Sequence, residues 1–378
     1  MIKNCINLIL ITIIIILLYL NFNTEKFDNI KDETKSIYTP LVKITKSQDF
    51  NTFGLINKIR FGIFKPNYES ISYGENGLIF KSPKNYNNII IIPGLGDCIL
   101  KQDNNIVWPI NCKNINKNNY TSVHLNNNSH MSTIIKLLRV LNYNDDKLKT
   151  LVYDFINFDI SKILLTFKEL LKNNTTIIAY DFGAVVANLC IQQLSKEEKT
   201  NINKLLLICP TIGGISLSIK EYLNGNSSMN NNITSNIDTT LLSFPNKEMN
   251  YYPVILYNSV KYYSNNISEL FQKELNDEFN NEEVIRLQKE SLKNPEIDTI
   301  IIGSDGFNTP VCYNYKNNLR QNPLCLEDNG DSIVPIENIK KLHNKWSYNC
   351  KLEIIKNKNH YSILKSYELC VLILKYIL

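Results

Sequence analysis

Three residues far apart in the chain, Asp181, Asp331 and His360, are of the types that together run nucleophilic catalysis: a nucleophile, an acid that orients the base, and the base itself. Asp181 lies in Ile178-Ala179-Tyr180-Asp181-Phe182-Gly183-Ala184, between an apolar run of strand character and one of helical character. A nucleophile on a sharp strand-to-helix turn needs small residues two places before and two places after it, because a side chain there would strike the neighbouring strand or helix. Ala179 and Gly183 meet that need. An aspartate at this place also caps helix N-termini, and the short pattern alone leaves both roles open. Asp331 sits in Gly330-Asp331-Ser332-Ile333-Val334-Pro335, beyond an apolar run at Ile297–Gly303, and His360 stands just past another at Lys351–Asn357. Of the four histidines it is the one at the end of such a run; His124, His130 and His343 fall in polar contexts and are expected to be solvated. Nucleophile, acid and base thus follow one another in the chain order of a hydrolase built on an α/β sheet.

The elements that must position these residues are legible as apolar runs. Asn88–Pro93, Lys149–Phe155, Thr175–Ala179, Lys204–Pro210, Ile297–Gly303 and Lys351–Asn357 read as strands. Ile160–Leu171, Gly183–Leu194, Glu282–Lys293 and the closing Tyr361–Leu378 read as helices. Continuous rather than alternating β-branched runs mean strands buried on both faces, and their alternation with helices predicts a mostly parallel central sheet with helices on both faces. With the ordered triad this is the α/β-hydrolase fold. The Asn-rich stretch from about 216 to 295 breaks the rhythm and is expected to be an inserted cap or lid.

The ends and the composition bound the rest. Residues 1–24 carry Lys3 and the apolar run Cys5–Leu20, the pattern of a signal peptide or signal anchor, and the lack of a small-x-small cleavage site favours the anchor. Residues 25–45 read as a polar linker and 46–378 as the catalytic domain, membrane-anchored or in the secretory pathway, on the lumenal or extracellular side. A net charge of +5 with interspersed signs and no basic stripe excludes a nucleic-acid surface. Of nine cysteines, Cys190 and Cys209 lie in apolar runs and read as buried thiols, while Cys98, Cys112, Cys312, Cys325 and Cys350 fall in loop-like sequence and are the candidates for disulfides. No cysteine spacing suits zinc, and neither a metal nor another cofactor is expected.

Over most of residues 85–378 the chain resembles the lecithin:cholesterol acyltransferase and lysosomal phospholipase family. Pro93-Gly94-Leu95-Gly96 resembles that family's oxyanion loop, Tyr153-Asp154-Phe155 its Y-D-W segment, and Cys209-Pro210-Thr211-Ile212-Gly213-Gly214 its A-P-x-x-G-G stretch. Gly303 through Tyr315, Gly330-Asp331 and His360 resemble its T-P-x-x-Y-x-Y run, its acid and its base. Trp108 and Cys112 resemble the start of its lid, for which a Cys98–Cys112 link is one pairing. The resemblance implies an acyltransferase or phospholipase acting at a lipid or membrane surface, with the backbone N–H groups of Leu95 and Phe182 as the oxyanion hole.

The departure is at the nucleophile, where the family has serine and this chain has Asp181. A carboxylate attacking an ester carbonyl forms an acid anhydride, a poor intermediate. Carboxylate nucleophiles suit saturated carbon, as in epoxide hydrolases and haloalkane dehalogenases, which share this fold. Three readings therefore stand: a lipid acyltransferase or phospholipase of the family, a lipid- or protein-binding protein without catalysis, and a hydrolase with an aspartyl ester intermediate. Two carboxylates flanking His360 should also favour its protonated form.

Overall fold

A computed structural model describes residues 39–44, 59–64, 72–74, 77–81, 87–102, 105–108, 121–125, 129–141, 143–224, 242–249, 252–275 and 282–377. The run Cys5–Leu20, with the expected anchor, and Cys112 lie outside the described residues. Among the described residues no helix is long and apolar enough to cross a membrane.

The chain forms two compact units, one from residues 1–45 and 59–82, the other from the rest. In the first, strands Thr39–Ile44, Ile59–Phe64, Ser72–Gly74 and Gly77–Lys81 make an antiparallel sheet in which Thr39–Ile44 pairs with both Ile59–Phe64 and Gly77–Lys81. Within the stretch expected as a linker over 25–45, Thr39–Ile44 is thus a strand, while residues 25–38 lie outside the described residues. Val42, Ile44, Ile59 and Ile63 supply the β-branched content that strands favour, diluted in sequence by the polar residues between the strands.

The second unit is built on six parallel strands: β1 (Asn88–Ile92), β2 (Leu148–Thr150), β3 (Thr175–Tyr180), β4 (Ile202–Ile208), β5 (Thr299–Asp305) and β6 (Cys350–Lys356), in the order β6-β5-β4-β3-β1-β2. Along β1, Ile90 and Ile92 pack with Ile177, Leu205, Leu207 and Ile301 against helices Ile160–Leu170, Phe182–Gln192 and Ile336–Lys345 in one continuous core. The intervening Ile89, Ile91, Ile178, Leu206, Ile300 and Ile302 point to the opposite face and are equally buried, which leaves helices Ser132–Val140 and Tyr367–Ile377 to cover that side. Two buried faces explain why the inner strands β1, β3, β4 and β5 read as nearly unbroken apolar runs.

The strand order reverses between β1 and β3: from β1 the chain moves outward to β2, from β3 the other way to β4. At such a switch point the loops beyond the two strands diverge and leave a crevice at the carboxyl edge of the sheet, where ligands bind in this class of fold. The Pro93–Asp97 loop and Asp181 border it.

Between β4 and β5 are inserted helices Ser216–Asn224, Ile267–Leu275 and Glu282–Ser291 and the hairpin Ile255–Tyr257/Val260–Tyr262. The hairpin joins Phe307–Asn314 and Leu324–Gly330 in a second sheet. Ile219, Tyr222, Phe244, Val254 and Phe271 give the insertion a core of its own. The buried Asn188 ties it to the main unit, its Nδ2 donating to the carbonyls of Ser291 and Lys293 at 2.7 and 2.9 Å.

Most expected elements start and stop within a few residues of the observed ones, with two exceptions. The strand expected over Lys149–Phe155 ends at Thr150, because Asp154 Oδ1 accepts the N–H groups of Ile156 and Asn157, both at 2.9 Å, and turns the chain. The closing helix is broken: a 3-10 turn at Ser362–Lys365 ends at the extended Ser366, whose Oγ accepts from Leu369 N–H at 3.2 Å and opens Tyr367–Ile377. Cys98, Cys312, Cys325 and Cys350 are free thiols on strands, as are the buried Cys190, Cys209 and Cys370 elsewhere, so Cys98 makes no disulfide.

Candidate active site

Asp181 is the single residue between β3 and helix Phe182–Gln192, and its backbone (φ 54°, ψ −126°) is one that non-glycine residues rarely adopt. Such a conformation costs roughly 1–3 kcal/mol and persists only where the surroundings impose it. Here the parallel ladder runs into the turn: Asp181 N–H donates to Ile208 C=O at 3.0 Å, and its own C=O accepts from Ala184 N–H at 3.1 Å. Its side chain makes no capping hydrogen bond to the helix, which removes the capping alternative and leaves the carboxylate projecting over the sheet edge.

Gly183 lets the helix sit this close. A Cβ there would lie 2.3 Å from Pro93 O and 2.5 Å from Ile92 O, both backbone atoms that cannot step aside. We expect Gly183→Ala to lower stability by about 3 kcal/mol through overpacking and to displace the turn, checked by chemical denaturation; a change within about 0.5 kcal/mol, the range of an ordinary surface substitution, would contradict this tight packing.

The carboxylate of Asp181 is engaged at both oxygens. Oδ2 accepts from Leu95 N–H at 3.0 Å, and Oδ1 lies 3.5 Å from His360 Nε2. The Leu95 loop is braced from beneath by Tyr153, whose hydroxyl donates to Pro93 C=O at 3.0 Å. Phe182, the other expected oxyanion-hole residue, opens the helix, its ring edge-on to Phe158.

His360 is held on its other side by Asp331, with Nδ1 2.8 Å from Oδ2. Asp331 Oδ1 accepts from Val334 and Ile333 N–H at 2.7 and 2.9 Å, so Oδ2 is left for the imidazole. Thr309 Oγ1 accepts from Ser332 N–H at 2.9 Å and fixes the turn, and Tyr180 OH donates to His360 C=O at 3.1 Å. Because an ionised Asp331 can only accept, Nδ1 carries a proton and Nε2 faces Asp181. The side chains of His360 and Asp331 are each 2% exposed and that of Asp181 is 17% exposed, so of the three Asp181 is the one open to solvent and substrate.

The charges agree with this layout. Burial alone would push His360 down, but Asp331 and Asp181 outweigh it and hold the imidazole well above its ordinary value. Burial likewise works against ionised Asp331, and the His360 charge with the two backbone N–H groups more than compensates, keeping it below the ordinary carboxylate value. In the resting site, His360 is a cation between two carboxylates.

The structure thus brings Asp181, Asp331, His360 and Leu95 N–H to one point. Sequence reasoning missed three neighbours. Cys209, at φ 45°, lies with Asp331 and His360 so that their candidate ligand atoms fall within 4.8 Å of one another. Burial pushes its thiol up to about 12, and Nδ1 is already bonded to Asp331, so the trio is a poor metal cradle. His130 is exposed as expected, yet it also pairs through Nδ1 with the buried Asp97 at 2.9 Å and lies against the Tyr361 ring, centroids 4.7 Å apart. Glu221, from the insertion, is close enough to Asp181 for their charges to interact. The sequence showed Cys209 as a buried thiol and gave no sign that any of the three adjoins the triad; each depends on which loops the sheet order gathers.

A chain of the Tle4–Tli4 complex shares this architecture with a TM-score of 0.51 and 9% identity, over 75% of this chain and 96% of that one. The chain has the α/β-hydrolase fold. Looser likenesses are a carboxylesterase from Nitrososphaera gargenis (TM-score 0.34, 8% identity, 77% and 90% covered) and an N-formylmaleamic acid deformylase from Pseudomonas putida (0.32, 9%, 80% and 98%). No protein-family description matches the chain and no curated protein matches its sequence.

Proposed function

We propose that this α/β-hydrolase-fold protein hydrolyses a bond at saturated carbon through an ester formed on Asp181. The observation that carries this is the carboxylate itself, with Oδ2 on Leu95 N–H and Oδ1 toward His360 Nε2. Oδ1 attacks carbon and displaces the leaving group, and Oδ2 becomes the carbonyl oxygen of the ester, still on its donor. Water then adds to Cγ while His360 takes its proton, the oxyanion grows on Oδ2, and collapse frees the alcohol and restores Asp181.

The electrostatics favour this sequence of events. Esterification removes the Asp181 charge, one of the two carboxylate charges that hold His360 protonated. The imidazole then loses its proton more readily and becomes a base at the step that needs one. Half-buried Leu95, whose N–H holds the carboxylate, and Phe158, against the Phe182 ring that follows Asp181, are apolar neighbours that suit an alkyl substrate.

The lipid acyltransferase or phospholipase activity implied by the motif resemblance shares the scaffold, and a lipid or membrane surface remains the partner we assign as the source of substrate. Its acyl-enzyme chemistry does not fit Asp181, since attack on an ester carbonyl would give an anhydride. A single turnover in heavy-oxygen water separates the readings. With protein in excess over a long-chain alkyl iodide or a terminal alkyl epoxide, the ester route places one heavy oxygen in the Asp181 carboxylate, read by peptide mass. Product formed without that label would sink the ester route, and no product from any alkyl or acyl substrate would support a non-catalytic lipid- or protein-binding role.

A further inference from the structure

Breaking a carbon–oxygen bond differs from breaking a carbon–halogen bond in one requirement. A halide departs as a stable anion, whereas an alkoxide needs a proton as it forms. Leu95 N–H and His360 are both committed to the oxygens of Asp181. A proton donor for a leaving oxygen must come from another wall of the crevice.

Helix Ser216–Asn224, which follows the loop after β4, carries a carboxyl whose charge reaches Asp181. Its Ile219, Tyr222 and Leu223 turn into the core of the insertion, while Leu217 packs against the core of the central sheet. Glu221 is one turn beyond Leu217, on the face of the helix turned from the insertion core toward the main core. Its charge interacts with Asp181 on the strand-to-helix elbow between β3 and helix Phe182–Gln192, with Lys220 on its own helix, with Tyr361 beside His360 and with Tyr313 on the strand Phe307–Asn314.

We propose that Glu221 is the acid that protonates the leaving oxygen when Asp181 opens a cyclic ether, which makes an alkyl epoxide the substrate class; this rests on the aspartyl-ester reading above. Asp181 Oδ1 forms the new bond to carbon, the ring carbon–oxygen bond breaks with its electron pair on oxygen, and that oxygen takes the proton of the Glu221 carboxyl. Water and His360 then cleave the ester, the product is a vicinal diol, and Glu221 regains its proton from solvent. Burial, aided by the Asp181 charge and opposed by Lys220, pushes the Glu221 carboxyl up to about 7, where a general acid works best near neutral pH.

The test compares the rates at which a terminal alkyl epoxide and a primary alkyl iodide alkylate Asp181, in the full chain and in Glu221→Gln, by rapid quench and peptide mass. The epoxide-to-iodide ratio should fall at least about a hundredfold in the variant. In the parent chain the epoxide rate should decline as pH rises through about 7, a limb the variant should lack. The iodide reaction reports that the elbow is intact. Alkylation by iodide with an unchanged ratio in Glu221→Gln, or with no epoxide reaction in the parent chain, would overturn the role of Glu221 alone. Alkylation by neither reagent would overturn the aspartyl-ester reading beneath it.

Discussion

Replacing Asp181 by serine should turn this protein into an esterase: hydrolysis of a short p-nitrophenyl ester should rise at least about a thousandfold above that of Asp181→Ala, while opening of saturated carbon disappears. The magnitude follows from what surrounds position 181. A positioned oxyanion donor is worth about 10²–10³ and a general base about 10²–10⁴ in turnover, and Leu95 N–H and His360 supply one of each. The strained backbone of the elbow is set by the ladder and by Gly183 rather than by the side chain, so a serine hydroxyl would emerge where the carboxylate now does. Removing the Asp181 charge also releases one of the groups that hold His360 protonated, which improves it as a base near neutral pH. Alanine is the correct baseline because it lacks both the charge and the nucleophile. A serine variant no faster than alanine would mean that donor and base are not arranged around an acyl carbon, and the kinship with serine enzymes would be one of fold alone.

What could be read from the sequence divides along a physical line. Strands buried on both faces leave an unmistakable trace, because Asn88–Ile92 and Ile202–Ile208 must be apolar throughout or nearly so. The elbow leaves another, because its sharp turn admits only small residues at the places of Ala179 and Gly183, the latter against Pro93 and Ile92. Asp331 and His360 were legible because they come after apolar runs in the expected chain order. Features created by long-range packing left no trace. Glu221 matters only because the insertion folds its helix toward the crevice, and Tyr153 and Thr309 stood inside quoted motifs without any sign that they brace the oxyanion loop and the Asp331 turn. The Lys149–Phe155 run misled because one Asp154 oxygen, accepting two N–H groups, outcompetes the strand ladder. Thr39–Ile44 misled because a strand is recognisable by its partners, which here stand across stretches of polar sequence.

Substituting Asp331 by asparagine should cost about 10⁴ in turnover, as loss of the orienting acid does in triads of this design, and should destabilise the fold in a pH-dependent way. Asparagine can present an N–H to His360 Nδ1, which selects the wrong tautomer and removes the charge that favours imidazolium. The stability effect has a definite window. His360 is raised above its ordinary 6.5, so its contribution is complete below that value and fades as pH climbs through the folded value. Asp331 is lowered below its ordinary 3.8, so its contribution is complete above that value and fades as pH falls through the folded one. Both act together between about pH 4 and 6.5, and there the variant should lose about 3 kcal/mol, the scale for breaking a buried ion pair on one side. At alkaline pH the parent chain has itself given up the His360 proton, so the two proteins should converge. Chemical denaturation of both chains across pH 4 to 10 measures this directly. A penalty of equal size at every pH would mean that the buried pair is neutral in the folded protein, and with it would fall the account of why His360 becomes a base only after Asp181 is esterified.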